Sequence, residues 1–314
     1  MNILVIIEHK NGVMHRMSKE AIAGAQKIGG SITALVIGEN SDSVADELSS
    51  FQIEKTLLVA NEKVTSYNVD GYKEIILQVV KIVNPEFIIA GHTYQARDFM
   101  PRLSASLDIP FIPDLVGFEN SSYVKQIMNS KLNASISSSD GPVLISFQSA
   151  SFSEENISKG SSSSETFEVD LDPSNIRTTS NEPFQELASE VDLESAELIV
   201  SVGRGIEKKE NTSIAFDLAE VLGAEVSASR PVVDAGWLPS SRQVGSSGST
   251  VSPKLYFSLG VSGAIQHVVG MKGSKNILAI NKDPDAPIFE IADYAVVGDL
   301  LDIIPKLIEK LKDL

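Results

Sequence analysis

Residues 227–287 read SASRPVVDAGWLPSSRQVGSSGSTVSPKLYFSLGVSGAIQHVVGMKGSKNILAINKDPDAP. Two runs in this stretch, KLYFSLG (254–260) and NILAIN (276–281), are short, β-branched or aromatic, and closed by Gly or Asn. Such runs are strands that stop at loops. The segment before them, AEVSASR (224–230), has the same form and ends on Ser229-Arg230-Pro231. The sequence after KLYFSLG, Ser262-Gly263-Ala264-Ile265-Gln266-His267, opens a helix on small residues. Strands that alternate with helices build a parallel sheet, and open sheets of this kind bind ligands beyond the carboxyl ends of their strands.

Outward from this stretch, AELIVSVG (196–203) is a further strand and Asn211–Leu222 a helix. A last amphipathic helix covers Leu300–Leu311, with apolar residues at 300, 301, 303, 304, 307, 308 and 311. The first half has the same alternation. ILVII (3–7), SITALVIG (31–38), KTLLVA (55–60) and EFIIAG (86–91) are strands buried on both faces, and Met17–Ile28, Ser43–Ser50 and Tyr72–Val83 are helices. Tyr123–Met128, Lys131–Ser139 and Val143–Phe147, broken by Asp140-Gly141-Pro142, are expected as antiparallel additions. From Ser149 to Ser195 the chain turns polar, with four consecutive serines (161–164) and breakers at Pro173 and Pro183, which marks a domain boundary. The fold class is α/β, with two doubly wound parallel-sheet domains.

Composition removes several functions. The 314 residues contain no cysteine, which excludes disulfides, thiol catalysis and Cys-ligated metal or iron–sulfur sites. The four histidines, at 9, 15, 92 and 267, lack metal-ligand spacing. A net charge of −16 disfavours nucleic acid and anionic membranes as partners. Residues 151–200 hold twelve acidic and two basic residues, and this segment is read as solvated surface or as a docking face for a basic partner. No apolar run reaches the length needed to span a bilayer. Met1-Asn2 lead straight into a strand without a leader pattern, so a bacterial cytoplasmic location is expected. Redox work by such a chain requires an organic cofactor.

The candidate binding residues cluster in the second half. Gly203-Arg204-Gly205 follows a strand, but Lys208 occupies the third position of a dinucleotide fingerprint, so the pair of glycines is equally a tight turn or a ligand contact. Arg230, at a strand's carboxyl end, faces a ligand crevice or pairs with a carboxylate such as Asp234. Gln243-Val244-Gly245-Ser246-Ser247-Gly248 is a surface loop or a ligand cradle. The helix start at Ser262 and Gly263 leaves backbone N–H groups for an anion. His267 alone is a satisfied helix histidine or a ligand contact, and Asp299 a helix N-cap or a contact or both.

The order and spacing of these segments resemble the FAD-binding domain of the electron transfer flavoprotein alpha subunit (the ETF alpha/FixB family). SGAIQH (262–267) matches the family motif residue for residue, and the likeness covers nearly the whole chain. Where the family usually has QVGQTG, this chain has Ser246 and Ser247, which keeps a hydroxyl and loses a methyl. The resemblance implies FAD as cofactor, held by Arg204, Ser229, Arg230, Val244, Gly245, Ser246, Ser247, Ser262, Gly263, Ala264, Ile265, Gln266, His267, Asn281, Asp299 and Leu300. Within that set Arg230 would face the flavin ring and favour its anionic reduced forms. Ser247 would lie near N5, His267 against the O2 carbonyl, and Asn281, Asp299 and Leu300 on the adenosine side.

The resemblance further implies an N-terminal domain over 1–185, adenine-nucleotide-hydrolase-like and packed against a partner. His92 and Arg97 lie there at the mouth of the sheet and are structural or partner-facing. It implies a DHS-like FAD-binding domain over 190–314. The implied function is an electron carrier rather than an enzyme, the alpha half of a heterodimer with an ETF beta subunit. Electrons would come from flavin dehydrogenases such as acyl-CoA dehydrogenases of fatty acid β-oxidation and pass to ETF-quinone oxidoreductase. The alternatives are a bifurcating or nitrogen-fixation-linked alpha subunit and, from another class, a NAD-dependent deacylase-like enzyme of related C-terminal fold.

Overall fold

The computed structural model describes residues 1–119, 122–128, 132–138, 141–180 and 191–312. The chain forms two compact units, Met1–Phe184 and Gln185–Leu314. The domain limits expected at 185 and 190, and Pro183, lie outside the described residues, as do Lys131, Ser139 and Asp140.

In the first unit β1 (Asn2–Ile7) leads through a short hairpin, β2 (His9–Lys10) and β3 (Val13–Met14), into α1 (Arg16–Ile28). Then follow β4 (Ser31–Ile37), α2 (Ser41–Leu48), β5 (Lys55–Val59), α3 (Val69–Val83), β6 (Phe87–Gly91) and α4 (Tyr94–Leu107). The unit continues with β7 (Phe111–Glu119), β8 (Ser122–Ile127), β9 (Leu132–Ile136), β10 (Val143–Phe147) and β11 (Ser163–Thr166). Among the described residues nine of these strands form one sheet in the order β11-β5-β4-β1-β6-β10-β7-β8-β9, and β2 and β3 form a two-stranded sheet of their own. Alternate residues of β1 serve opposite layers: Ile3, Val5 and Ile7 pack with α1 and α2, and Leu4 and Ile6 with α3 and α4. Local chemistry sets the helix starts. The Asn68 side chain accepts from Gly71 N at 2.9 Å to cap α3, and Thr93 Oγ1 accepts from Ala96 N at 3.1 Å to cap α4.

Two expectations are corrected here. β10 is not an antiparallel addition. It lies parallel between β6 and β7, near the middle of the sheet, with all five residues buried. A continuous apolar run covered on both faces is the mark of a parallel strand, and within this sheet the antiparallel pairs among the described residues are β7–β8 and β8–β9. The polar stretch from Ser149, expected as the domain boundary, belongs to the first unit up to residue 180. Its Ser163–Thr166 adds β11 parallel to β5, and Phe167, Val169, Leu171 and Ile176 pack on the α3/α4 layer. A strand that is exposed at every position carries no hydrophobic signature, so the serines concealed it.

The second unit runs β12 (Leu198–Val202), α5 (Ser213–Leu222), β13 (Glu225–Ala228), α6 (Arg230–Asp234), β14 (Leu255–Leu259), α7 (Ile265–Val268), β15 (Ile277–Asn281), β16 (Tyr294–Val297) and α8 (Leu300–Lys312). Its strands are all parallel, in the order β13-β12-β14-β15-β16. The chain leaves β12 to one side for β13 and crosses to the other for β14. The order therefore reverses between β12 and β14, and a crevice opens there beyond their carboxyl ends. No helix among the described residues is long and apolar enough to cross a membrane.

Candidate functional site

A cavity of about 680 Å³ lies at that crevice, within the roughly 300–1,000 Å³ range of pockets that enclose small organic ligands. Its wall takes Arg204 and Gly205 from the loop after β12, Ser229, Arg230, Pro231 and Asp234 from that after β13, Gly260 to Ser262 from that after β14, and Asn281 and Asp283 from that after β15. Val244 to Ser247, Ala264, Gln266 and His267 close it. Four separate strand ends and one long loop thus supply a single site.

The Gly/Ser loop is an ordered cradle. Gly245 N donates to Ser249 O, Gly248 N to Gly245 O and Ser249 N to Gln243 O, which folds the loop back on itself. Ser246 N donates to Gln266 O at 2.7 Å and ties it to the start of α7. Gly245 has φ +140, and a Cβ there would meet Gln266 O at 2.7 Å; one on Gly270 would meet Gly245 N at 2.4 Å. Only glycine allows this approach. The Gln243 amide donates to both Ser247 O and Ser247 Oγ at 3.0 Å. Its grip orients the Ser247 hydroxyl and leaves the hydroxyl proton free to donate into the cavity.

The turn at Ser262-Gly263 presses close to a second loop. Gly263 has φ +86, and a Cβ there would lie 2.2 Å from Ile288 N. α7 is a single turn of four residues, so the dipole expected of a full helix start is small, and what it offers the cavity is backbone and side-chain groups. His267, 6% exposed, sits in the wall with Nε2 3.0 Å from the Tyr256 hydroxyl, while Nδ1 has no hydrogen-bond partner in the protein. Burial lowers its pKa to about 4, against the opposing pull of the Val244 carbonyl. The ring is neutral near pH 7 and can act on a ligand as a hydrogen-bonding dipole, not as a cation.

Gly203 and Gly205 answer a packing need. A Cβ on Gly203 would lie 2.3 Å from Gly260 O, and one on Gly205 2.7 Å from Gly260 Cα. The two glycines let the loops after β12 and β14 touch backbone to backbone, and Arg204 between them reaches the cavity wall. Arg230 satisfies both of its readings. It lines the cavity and pairs through Nε with Asp234 Oδ2 at 3.3 Å.

Asn281 donates from Nδ2 to Val261 O at 2.9 Å and accepts from Asp283 N at 3.0 Å, so it braces two loops at the rim. Four expected residues are not in the wall: Gly263, Ile265, Asp299 and Leu300. Gly263 shapes the turn, and Ile265 is exposed. Asp299 caps α8 by accepting from Leu301 N at 2.9 Å and pairs with Lys282 at 3.1 Å. The Leu301 N–H first, and Lys282 second, hold its carboxyl below the usual range. Leu300 is buried in the core. The expected set lacked Gly205, Pro231, Asp234, Gly260, Val261, Asp283, Ala286 and Pro287 as wall residues. For the last three, the DPDAP that follows Asn281 was the available signal, since a Pro-broken acidic turn after a strand end must project from the crevice.

In the first unit His92 Nδ1 is 2.8 Å from Ser146 Oγ, which also accepts from Asp114 N at 3.2 Å. Arg97 lies over the Tyr94 ring at 5.3 Å. The two contacts of Ser146 link the end of β6 to β10 and β7 at the mouth of their sheet, and the Arg97–Tyr94 contact lies within α4.

The residues of the second unit suit a dinucleotide with a planar ring. Two guanidinium groups and the hydroxyls of Ser229, Ser246, Ser247 and Ser262 face the cavity wall, glycines bring backbone against it, and the buried His267 ring has an orphaned nitrogen. A family model described as "Electron transfer flavoprotein FAD-binding domain" matches residues 192–272, and one described as "Electron transfer flavoprotein domain" matches residues 3–172. The first spans the wall residues from Arg204 to His267 and stops short of Asn281. The electron transfer flavoprotein subunit alpha of Bacillus subtilis is 38% identical over 99% of this chain and 98% of its own length. That of Pseudomonas aeruginosa is 35% identical over 98% and 99%. Protein FixB of Clostridium saccharobutylicum is 33% identical over 99% and 96%.

Proposed function

The chain belongs to the electron transfer flavoprotein alpha-subunit family, and from that premise we propose that its second unit holds FAD in the cavity at the β12/β14 crevice. The carrying observation is the convergence of the Arg230, Gly/Ser-loop and SGAIQH segments on one cavity wall. FAD would supply the one- and two-electron redox chemistry there. In this reading Arg230 places its charge at the flavin ring, Ser247 donates its hydroxyl, and His267 presents a neutral ring. Arg204 and the serines take the polar remainder, and Asn281 braces the adenosine side. Asp299 and Leu300 contribute from behind the wall, through the start of α8.

The first unit is proposed to pack against a beta subunit, and the loaded heterodimer to shuttle electrons without oxidising a metabolite itself. Flavin dehydrogenases such as acyl-CoA dehydrogenases would be the donors and a quinone oxidoreductase the acceptor. Glu290 and Asp293 support the carrier reading: both are exposed, neither lines the cavity, and Asp293 is engaged by Ile277 N at 2.8 Å. A base for removing a substrate proton would have to stand in the wall, and the two carboxylates there are engaged, Asp234 by Arg230 Nε at 3.3 Å and Asp283 by Asp285 N at 3.0 Å.

The test is to mix the FAD-loaded heterodimer with an acyl-CoA, first alone and then with a catalytic amount of an acyl-CoA dehydrogenase. Flavin bleaching only in the second case is expected. Rapid reduction by substrate alone would overturn the carrier reading. The chain expressed without a beta partner should keep little FAD, and a stable, fully loaded monomer would overturn the heterodimer.

A further inference from the structure

Among the described residues Tyr256 is the largest fully buried side chain, and its hydroxyl lies 3.0 Å from Nε2 of His267. It stands on β14 two residues before Ser258, on the same face of the sheet. Ser258 pairs in register with Ser201 of β12, and Ser201 with Ser227 of β13, so three hydroxyls form a row across adjacent strands. All three serines are fully buried, and among the described residues none of their hydroxyls makes a hydrogen bond of normal geometry. Burial raises the Tyr256 phenol far above its ordinary pKa, and the neighbouring Ser201 and Ser227 hydroxyls pull it back. The phenol therefore stays protonated, with Nε2 of the imidazole 3.0 Å from its oxygen.

The geometry points to Tyr256 as a positioning residue that donates its proton to Nε2 and holds neutral His267 in the tautomer with its N–H at Nδ1. The chemistry of the pair supports this direction. Both groups are uncharged and 3.0 Å apart, a phenol O–H is the stronger donor of the two and an imidazole nitrogen the stronger acceptor, so the phenol proton goes to Nε2. An imidazole that accepts at Nε2 must donate at Nδ1, and that nitrogen makes no hydrogen bond of normal geometry among the described residues, the Val244 carbonyl exerting only a partial pull on the ring. A buried donor left unpaired is costly, so a ligand acceptor that meets it is favoured. The tautomer rests on the contacts alone; the gain for a ligand rests on the reading that FAD occupies this cavity.

The experiment uses the full chain with its histidines labelled with nitrogen-15, assembled with an unlabelled beta partner, with and without FAD, at pH 7. The His267 signals are identified by their loss in His267→Asn. In the unsubstituted chain Nδ1 should show the protonated shift and Nε2 the unprotonated one. In Tyr256→Phe the ring should become a mixture of tautomers, and FAD affinity should fall about tenfold. A protonated Nε2 in the unsubstituted chain would overturn the assignment without any reference to FAD. An unchanged Nδ1–H ring in Tyr256→Phe would show that the phenol does not set it. Failure of FAD to bind, read separately by its visible absorbance, would count against the cofactor reading and leave the tautomer result standing.

Discussion

Arg230 Nε stands 3.3 Å from Asp234 Oδ2, one turn along α6, and both side chains line the same cavity. The cation proposed to face the flavin therefore comes with its own counter-charge. Two side chains 69% and 64% exposed in the protein make a weak pair, but a ring laid over them would remove water and strengthen every charge nearby.

Opposite substitutions should move the potential in opposite directions. Arg230→Ala removes positive charge and should lower the flavin reduction potential, on the order of 60 mV for one electron, the equivalent of about 1.4 kcal/mol. Asp234→Asn frees the guanidinium and should raise it by a smaller amount. Spectroelectrochemistry of the loaded heterodimer reads both, and shifts of the same sign would place the pair away from the ring.

Acid should weaken the second unit through His267. The folded ring titrates near 4 and the unfolded one near 6.5, with burial as the cause. Between those values the unfolded chain binds a proton that the folded chain refuses. Stability is therefore fully present above about pH 6.5 and declines as pH falls toward 4, by about 3 kcal/mol in total. Urea unfolding of the full chain at pH 7, 5.5 and 4 should show that decline reduced in His267→Asn. Equal declines in the two proteins would mean that the ring is not desolvated.

Glycines of the second unit should separate by what surrounds them. Gly223 has φ +65 and open space where a Cβ would stand, so Gly223→Ala should cost about 1 kcal/mol from backbone strain alone. Gly263 adds the clash with Ile288 N, so Gly263→Ala should cost well over about 2 kcal/mol. Comparable unfolding midpoints for the two variants would contradict the close approach at Ile288.

Asp299→Ala tests whether the start of α8 touches the cofactor. Loss of the cap on Leu301 N and of the Lys282 pair should cost about 1 kcal/mol of stability. FAD affinity, measured by titration at a temperature where the variant stays folded, should change by less than about threefold. A tenfold loss would make Asp299 a direct contact as well as a cap.

Much of the site was legible because it is nearly contiguous in sequence. Ser229 to His267 span one β-loop-β-helix passage, and each piece carries its own signal in Arg, Gly, Ser or His. What could not be read was which of two roles a residue takes when both are chemically possible. Arg204 and the glycines beside it look the same in sequence whether they bind phosphate or let two loops touch, and it is Gly260 on the next strand over that decides. Ser247 showed a hydroxyl and not the Gln243 amide that orients it. Val143–Phe147 showed its apolar run and not its neighbours, so its direction was misread.

The amino-acid order by itself determined the α/β class, the strand-to-loop positions of the cavity residues and the absence of any thiol or Cys-ligated metal chemistry. Those follow from local periodicity, turn residues and composition, which act over a few residues of chain. The tertiary structure alone decided that β10 is a central parallel strand, that Asp234 shares the cavity with Arg230, and that Tyr256 meets His267 above a row of buried serines. Each of these depends on which strands become neighbours and in what register. That is settled by burial of both sheet faces across the whole unit, a property that no short segment carries.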